Sequence, residues 1–210
     1  MDKLRLKFTK TGRAVYISHL DLMRTMQRVF SRAGVGLKYS EGFNPHAKIS
    51  IILPLTVGTH SMCEYMDFSL ARDWDLSALP ALLNPCMPEG IQAIEAYEAP
   101  CKGSELRWLR ITGRMTGGRD AAFYNDFFTR EEILVKKRGK KGERIDNIAP
   151  AIGRAEFSDR EDSVYADLLI HAQEPALNPD TMMAALGEDA PEYYVFTRQK
   201  AYHEDMTPFR

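Results

Sequence analysis

Between residues 3 and 34 the chain changes its hydrophobic period, and that change restricts the fold more than any other feature. Residues 3–9, Lys-Leu-Arg-Leu-Lys-Phe-Thr, alternate charged and apolar side chains, the pattern of a half-buried strand. Thr11-Gly12 turns the chain. Ser18 then offers an N-cap, with Asp21 three residues on in the manner of a shortened capping box. Beyond it Leu22, Met23, Met26, Val29, Phe30 and Ala33 recur at three- and four-residue spacings, which predicts a helix over 19–33 stopped by Gly34.

The remaining elements extend this start into a recognisable order. Tyr39 to His46 holds a glycine, a proline and small polar groups and reads as a loop. Residues 49–57 predict a strand whose Pro54 argues for an edge or a bulge, residues 63–70 a third strand, residues 75–83 a short helix and residues 91–97 a fourth strand. The order β-α-β-β-α-β is that of a ferredoxin-like unit, four antiparallel strands with both helices on one sheet face. After a linker at 99–104 the plan recurs: a strand at 106–113, a helix at 121–128, two or three strands within 132–170, a helix at 179–186 and a strand at 193–202. The predicted class is α+β, with tandem ferredoxin-like (βαββαβ) units of antiparallel sheet at residues 1–100 and 104–210. The second carries a basic hairpin or loop at 135–145.

Charge separates function classes better by its position than by its sum. The whole chain carries a net −1, yet residues 1–50 hold ten Lys and Arg against three acids, a local +7, so the remainder carries −8. A basic quarter of this kind suits a polyanion, and it suits equally an acidic protein surface. The start of the chain has no apolar run of a secretory signal, and no later stretch supplies the roughly 20 apolar residues of a membrane span. The prediction is a cytoplasmic protein with no membrane partner. Three scattered cysteines, Cys63, Cys86 and Cys101, provide neither a disulfide framework nor an iron-sulfur site. His19, His46, His60, Asp21 and Cys63 are ligand types but lack the tight spacing of a metal site. No phosphate-binding loop or nucleophile elbow is present. Neither cofactor nor metal is predicted.

Several groups can meet a phosphate backbone. Arg24, Arg28 and Arg32 lie four residues apart, so they line one face of the first helix; Lys48 follows nearby. That row serves either as a phosphate-contacting stripe or as a solvated helix flank. His19 in the first helical turn, with Asn44 and His46 in the loop, would form a polar pocket if helix and loop met. The alternative for the loop is structural, with Phe43 plugging the core. Lys136, Lys137, Arg138, Lys140 and Lys141, interrupted by a glycine, predict a basic hairpin tip, its base held by Asp146. Tyr194, Phe196 and Arg198 on the last strand stack on bases or belong to the core.

Tyr16-Ile-Ser-His-Leu-Asp-Leu22, together with Ser40-Glu-Gly-Phe-Asn-Pro-His-Ala-Lys-Ile-Ser50, resembles the radical-SAM-linked domain of unknown function called DUF2344. Pro54-Leu55, Glu64-Tyr65, Met87-Pro-Glu-Gly90 and Pro179-Asp180 extend the resemblance over nearly the whole chain. It implies a partner, because that domain occurs fused behind a radical SAM domain or encoded near one, while the CxxxCxxC signature of such an enzyme is absent from this sequence. The implied role is accessory: an RNA-binding or substrate-recognition protein acting on structured RNA with a separate radical SAM protein. Two alternatives stand beside it, a docking module for that enzyme without RNA contact, and a phosphodiester-processing enzyme using His19. The tandem arrangement with a basic first helix is also similar to CRISPR repeat-RNA endonucleases, though their glycine-rich C-terminal loop is missing. No catalytic residue is inherited from either resemblance.

Overall fold

The computed structural model describes residues 3–139 and 142–210. The chain divides into two compact units, one running to Gly103 and including Arg210, the other spanning Ser104–Phe209. It is an α+β protein of antiparallel strands.

In the first unit β1 (Leu4–Lys10) leads through a 3-10 turn into α1 (His19–Arg32), then β2 (Ile49–Ile52), β3 (His60–Phe68), α2 (Leu79–Leu83) and β4 (Ile91–Glu98). The sheet order is β4-β1-β3-β2, every pair antiparallel. The alternation in β1 does what its period requires: Leu6 and Phe8 are fully buried in one cluster with Met26, Val29 and Phe30 of α1 and Leu79 and Leu83 of α2. Both helices therefore cover the same sheet face. Each such fully buried apolar side chain contributes about 1.5–3 kcal/mol relative to exposure, and the Phe30 and Phe68 rings meet at 5.2 Å. Ser18 caps α1 as its position predicts, its hydroxyl accepting from the Asp21 backbone N–H at 3.2 Å. Gly34 leaves the helix at φ +71°, a conformation that costs a side chain but not glycine. The second strand is shorter than the sequence pattern: backbone φ turns to +51° at Leu53 and Pro54 follows, so β2 stops at Ile52.

The second unit runs β5 (Trp108–Thr116), α3 (Ala121–Phe128), β6 (Leu134–Gly139), β7 (Gly142–Asn147), β8 (Ile152–Arg160), β9 (Ser163–His171), α4 (Pro179–Ala185) and β10 (Tyr193–Tyr202). Its sheet is ordered β10-β5-β9-β8, and β6 and β7 pair separately. With the hairpin set aside, the order is again fourth, first, third, second. Residues 132–170 thus hold four strands rather than two or three. Charge does not prevent a ribbon whose two faces are wet, and β8 buries only Phe157 well while its other positions stay polar. Phe157 packs against Tyr124 and Phe128 of α3 at ring distances of 5.4 and 5.5 Å. Asn125 of α3 bonds both backbone groups of Phe157 at 2.9 Å, so a side-chain amide occupies part of the open edge of β8.

Candidate nucleic-acid interface

The polar face of α1 is built by the same period that builds its core face. Leu22, Met26, Val29 and Phe30 point inward, which leaves Arg24, Arg28 and Arg32 exposed along the opposite side. Neighbouring members of the row are about 6 Å apart. Asp21 moderates the first of them: it pairs with Arg24 at 3.1 Å while accepting from the Ser18 hydroxyl at 2.7 Å. The Ser18 hydrogen bond, and then Arg24, hold the Asp21 carboxyl below its ordinary pKa. Arg28 and Arg32 extend the positive stripe toward the helix C-terminus, where a cation also complements the helix dipole.

His19 occupies the first helical residue and is exposed, with Tyr16 and Leu20 beside it 74% and 65% exposed. This end of α1 is tied to the C-terminal end of β1, because the buried Lys10 ammonium donates to the Ile17 carbonyl at 2.8 Å and the Val15 carbonyl at 3.3 Å. The loop holding Asn44 and His46 is tied elsewhere. Lys38 N–H donates to the Ser69 carbonyl at 2.8 Å and Ser69 N–H to the Lys48 carbonyl at 3.0 Å, beside Phe68, which pairs with Leu4 at the start of β1. A helix of 14 residues, about 21 Å long, separates the two anchor points. His19 and the loop are thus fixed at opposite ends of α1.

Within the loop Tyr39 bridges Ala47, the His46 N–H donates to the Ser40 hydroxyl at 2.9 Å, and Gly42 takes φ +122°. Asn44, His46 and Lys48 are exposed. Phe43 is not a plug: it is as exposed as an isolated residue, at 112%. The short span between the Ser40 and His46 bonds closes the turn on itself and directs its tip outward.

The basic segment after α3 forms a hairpin. Lys136 is exposed opposite Ile145, Lys137 pairs with Arg144, Arg138 with Glu143, and Gly139 with Gly142. Lys140 and Lys141 lie outside the described residues. The base is held by Asn147 instead of Asp146: the Asn147 amide oxygen accepts from the backbone N–H of Ile133 at 2.9 Å and of Ala149 at 3.1 Å, and its nitrogen donates to the Glu131 carbonyl at 3.1 Å. Asp146 pairs with Arg144 at 3.0 Å.

Tyr194, Phe196 and Arg198 belong to the helix-covered side. Phe196 and Arg198 are buried, and burial raises the Tyr194 phenol pKa, with Asp180 of α4 beside it adding to the shift.

Two arrangements escaped the sequence pattern. Arg72 stacks on Trp74 at 4.7 Å along a cavity of about 310 Å³ that also touches Leu4, Ser69, Asp73 and Glu98; a lone Arg-x-Trp in a loop carries no spacing signal. The other is the row of charged and aromatic side chains on the uncovered face of the second sheet, hidden because each residue sits on a different strand.

Exposed cationic elements on an antiparallel α+β scaffold define a class of protein suited to polyanionic ligands. Its family is established by sequence: residues 3–179 match the family described as an uncharacterized protein conserved in bacteria (DUF2344), and the chain belongs to it. Among curated proteins none matches the chain. No helix among the described residues is long and apolar enough to cross a membrane, and among them no cluster of three or more His, Cys, Asp or Glu side chains is arranged to hold a metal ion.

Proposed function

We propose that this chain is an accessory protein that binds structured RNA, or an RNA-associated substrate, for a separate radical SAM enzyme in the cytoplasm. Its two units are read as tandem ferredoxin-like domains, a reading supported by the shared fourth-first-third-second strand order. The observation that carries the proposal is the exposed Arg24, Arg28 and Arg32 row on one face of α1, with Lys48 and the basic hairpin as further phosphate contacts. Guanidinium groups at this spacing bind backbone phosphates without reading sequence. The radical SAM partner rests on the family resemblance.

A docking role without RNA is the second reading, favoured by the exposed Tyr16 and Leu20 at the start of α1. Recovery of the tagged chain from its own cell extract, with and without ribonuclease, separates the two. The RNA reading expects a defined RNA that disappears in the Arg24→Ala/Arg28→Ala variant. A ribonuclease-resistant protein complex lacking RNA would overturn it in favour of docking.

A further inference from the structure

The register of the second sheet sorts its side chains into two faces of opposite character. Phe157, Ala166, Gly113 and Phe196 share a row, and Phe157 in that row packs against α3. The rows between them face away from the helices. Ser158, Tyr165, Arg114 and Val195 form one such row, and Arg154, Leu169, Arg110 and Lys200 another.

This uncovered face is wet and basic. Arg114, Arg154 and Lys200 are exposed, and Tyr165, directly across from Arg114, is 38% exposed. Of the acids on the same face, Asp167 is engaged by Arg110 at 2.6 Å and by Arg154 at 3.3 Å, and Glu156 lies 3.8 Å from Arg154. The four cations outnumber those two carboxylates. The acidic pair Glu161 and Asp162 sits in the turn between β8 and β9, which bounds the positive area at that end. Cationic charge selects a polyanion. An exposed ring lying between guanidinium groups in mid-sheet selects one with unpaired bases, because a duplex keeps its bases stacked and offers a protein mainly backbone and shape.

We propose that the helix-free face of the second unit binds single-stranded RNA, with Tyr165 stacking a base and Arg114, Arg154 and Lys200 holding the flanking phosphates. The proposal rests on the RNA reading above and adds a second mode of contact, distinct from the α1 stripe. Arg110 and Asp167 act as positioning residues, because their paired hydrogen bonds fix the sheet surface beside the ring without needing to touch RNA.

The test is fluorescence anisotropy on the full chain at low salt, with a fluorescein-labelled octauridine and, separately, an RNA hairpin. Tyr165→Leu preserves bulk on a half-exposed strand position and should weaken octauridine binding about 10-fold, within the range for loss of one stacked base. Tyr165→Phe should stay within about 2-fold of the parent, since the ring is retained. Arg114→Ala/Lys200→Ala should reduce the salt slope by about two, one for each lost phosphate contact. Unchanged octauridine affinity in Tyr165→Leu overturns the platform. So does a parent chain that binds the hairpin through Arg24 and Arg28 but not octauridine, an outcome that leaves the proposed function standing. A Tyr165→Leu loss with no effect of Arg24→Ala/Arg28→Ala supports the platform and removes the α1 stripe. If neither RNA binds, both proposals fall.

Discussion

Replacing Asp67 with Ala removes the counter-charge of a fully buried cation. Arg5 has no solvent exposure; its Nε donates to Asp67 Oδ1 at 2.7 Å, and its Nη2 donates to Asp67 Oδ2 at 3.2 Å and to the Cys101 carbonyl at 2.9 Å. Its Nη1 donates to the main-chain oxygen of Arg210 at 2.5 Å. The substitution deletes two charge-assisted bonds and keeps the guanidinium buried, which costs about 3–5 kcal/mol. For a urea dependence of about 1–2 kcal/mol per molar, the unfolding midpoint of the first unit falls by about 2 M or more. The assay is built into the sequence, since of the two tryptophans Trp74 lies in the first unit and Trp108 in the second. In a Trp108→Phe background, Trp74 fluorescence reports the first unit by itself. Arg5→Met/Asp67→Leu, which removes both charges, should recover most of the loss. A loss below about 1 kcal/mol for Asp67→Ala, or a double variant no better than the single one, would refute the assignment of the cost to an unbalanced buried charge.

Three further outcomes follow from local geometry. Hydrogen bonds from Arg110, stronger than the opposing effect of burial, hold the Asp167 carboxyl below its ordinary pKa. The stabilisation is therefore complete above the ordinary carboxylate range and is lost as pH falls through the depressed value; Arg110→Met should raise the Asp167 pKa in a carboxyl NMR titration, and an unmoved value would contradict the pairing. Gly90 sits at φ +86° with a Cβ position only 2.2 Å from the Thr11 carbonyl oxygen, so Gly90→Ala should cost about 1–3 kcal/mol in thermal unfolding, and parental stability would refute the close approach. Phe43→Ser should change stability by less than about 0.5 kcal/mol, because the ring is exposed; a large loss by urea unfolding would restore it to the core.

Much of the first unit was legible because its elements are locally consistent. The period of β1, the Ser18 cap and the Gly34 stop all point to one answer, and α1 begins and ends within a residue of its expected bounds. Boundaries failed where a single backbone angle decided them, as at Leu53. The four strands in 132–170 were undercounted because apolar alternation marks only strands with a buried face, and β6–β7 is a ribbon rich in exposed polar side chains. Candidate site residues on one element, such as Arg24, Arg28 and Arg32, share a face by helical spacing alone. His19 and His46 could be placed only by knowing which end of the sheet each segment is tied to, and Arg114 and Tyr165 only by the register of β5 against β9. Long-range pairing of this sort leaves no trace in local spacing. Asn147 instead of Asp146 at the hairpin base is a one-residue matter of which side chain turns back toward the chain.

The central claim is that this chain holds RNA through phosphate contacts, and the dependence of affinity on salt measures that directly. For an RNA hairpin titrated at several salt concentrations, log affinity should fall linearly with log salt, and Arg24→Ala/Arg28→Ala should lower the slope by about two. Absence of binding at low salt, or a slope identical in parent and variant, would contradict the account.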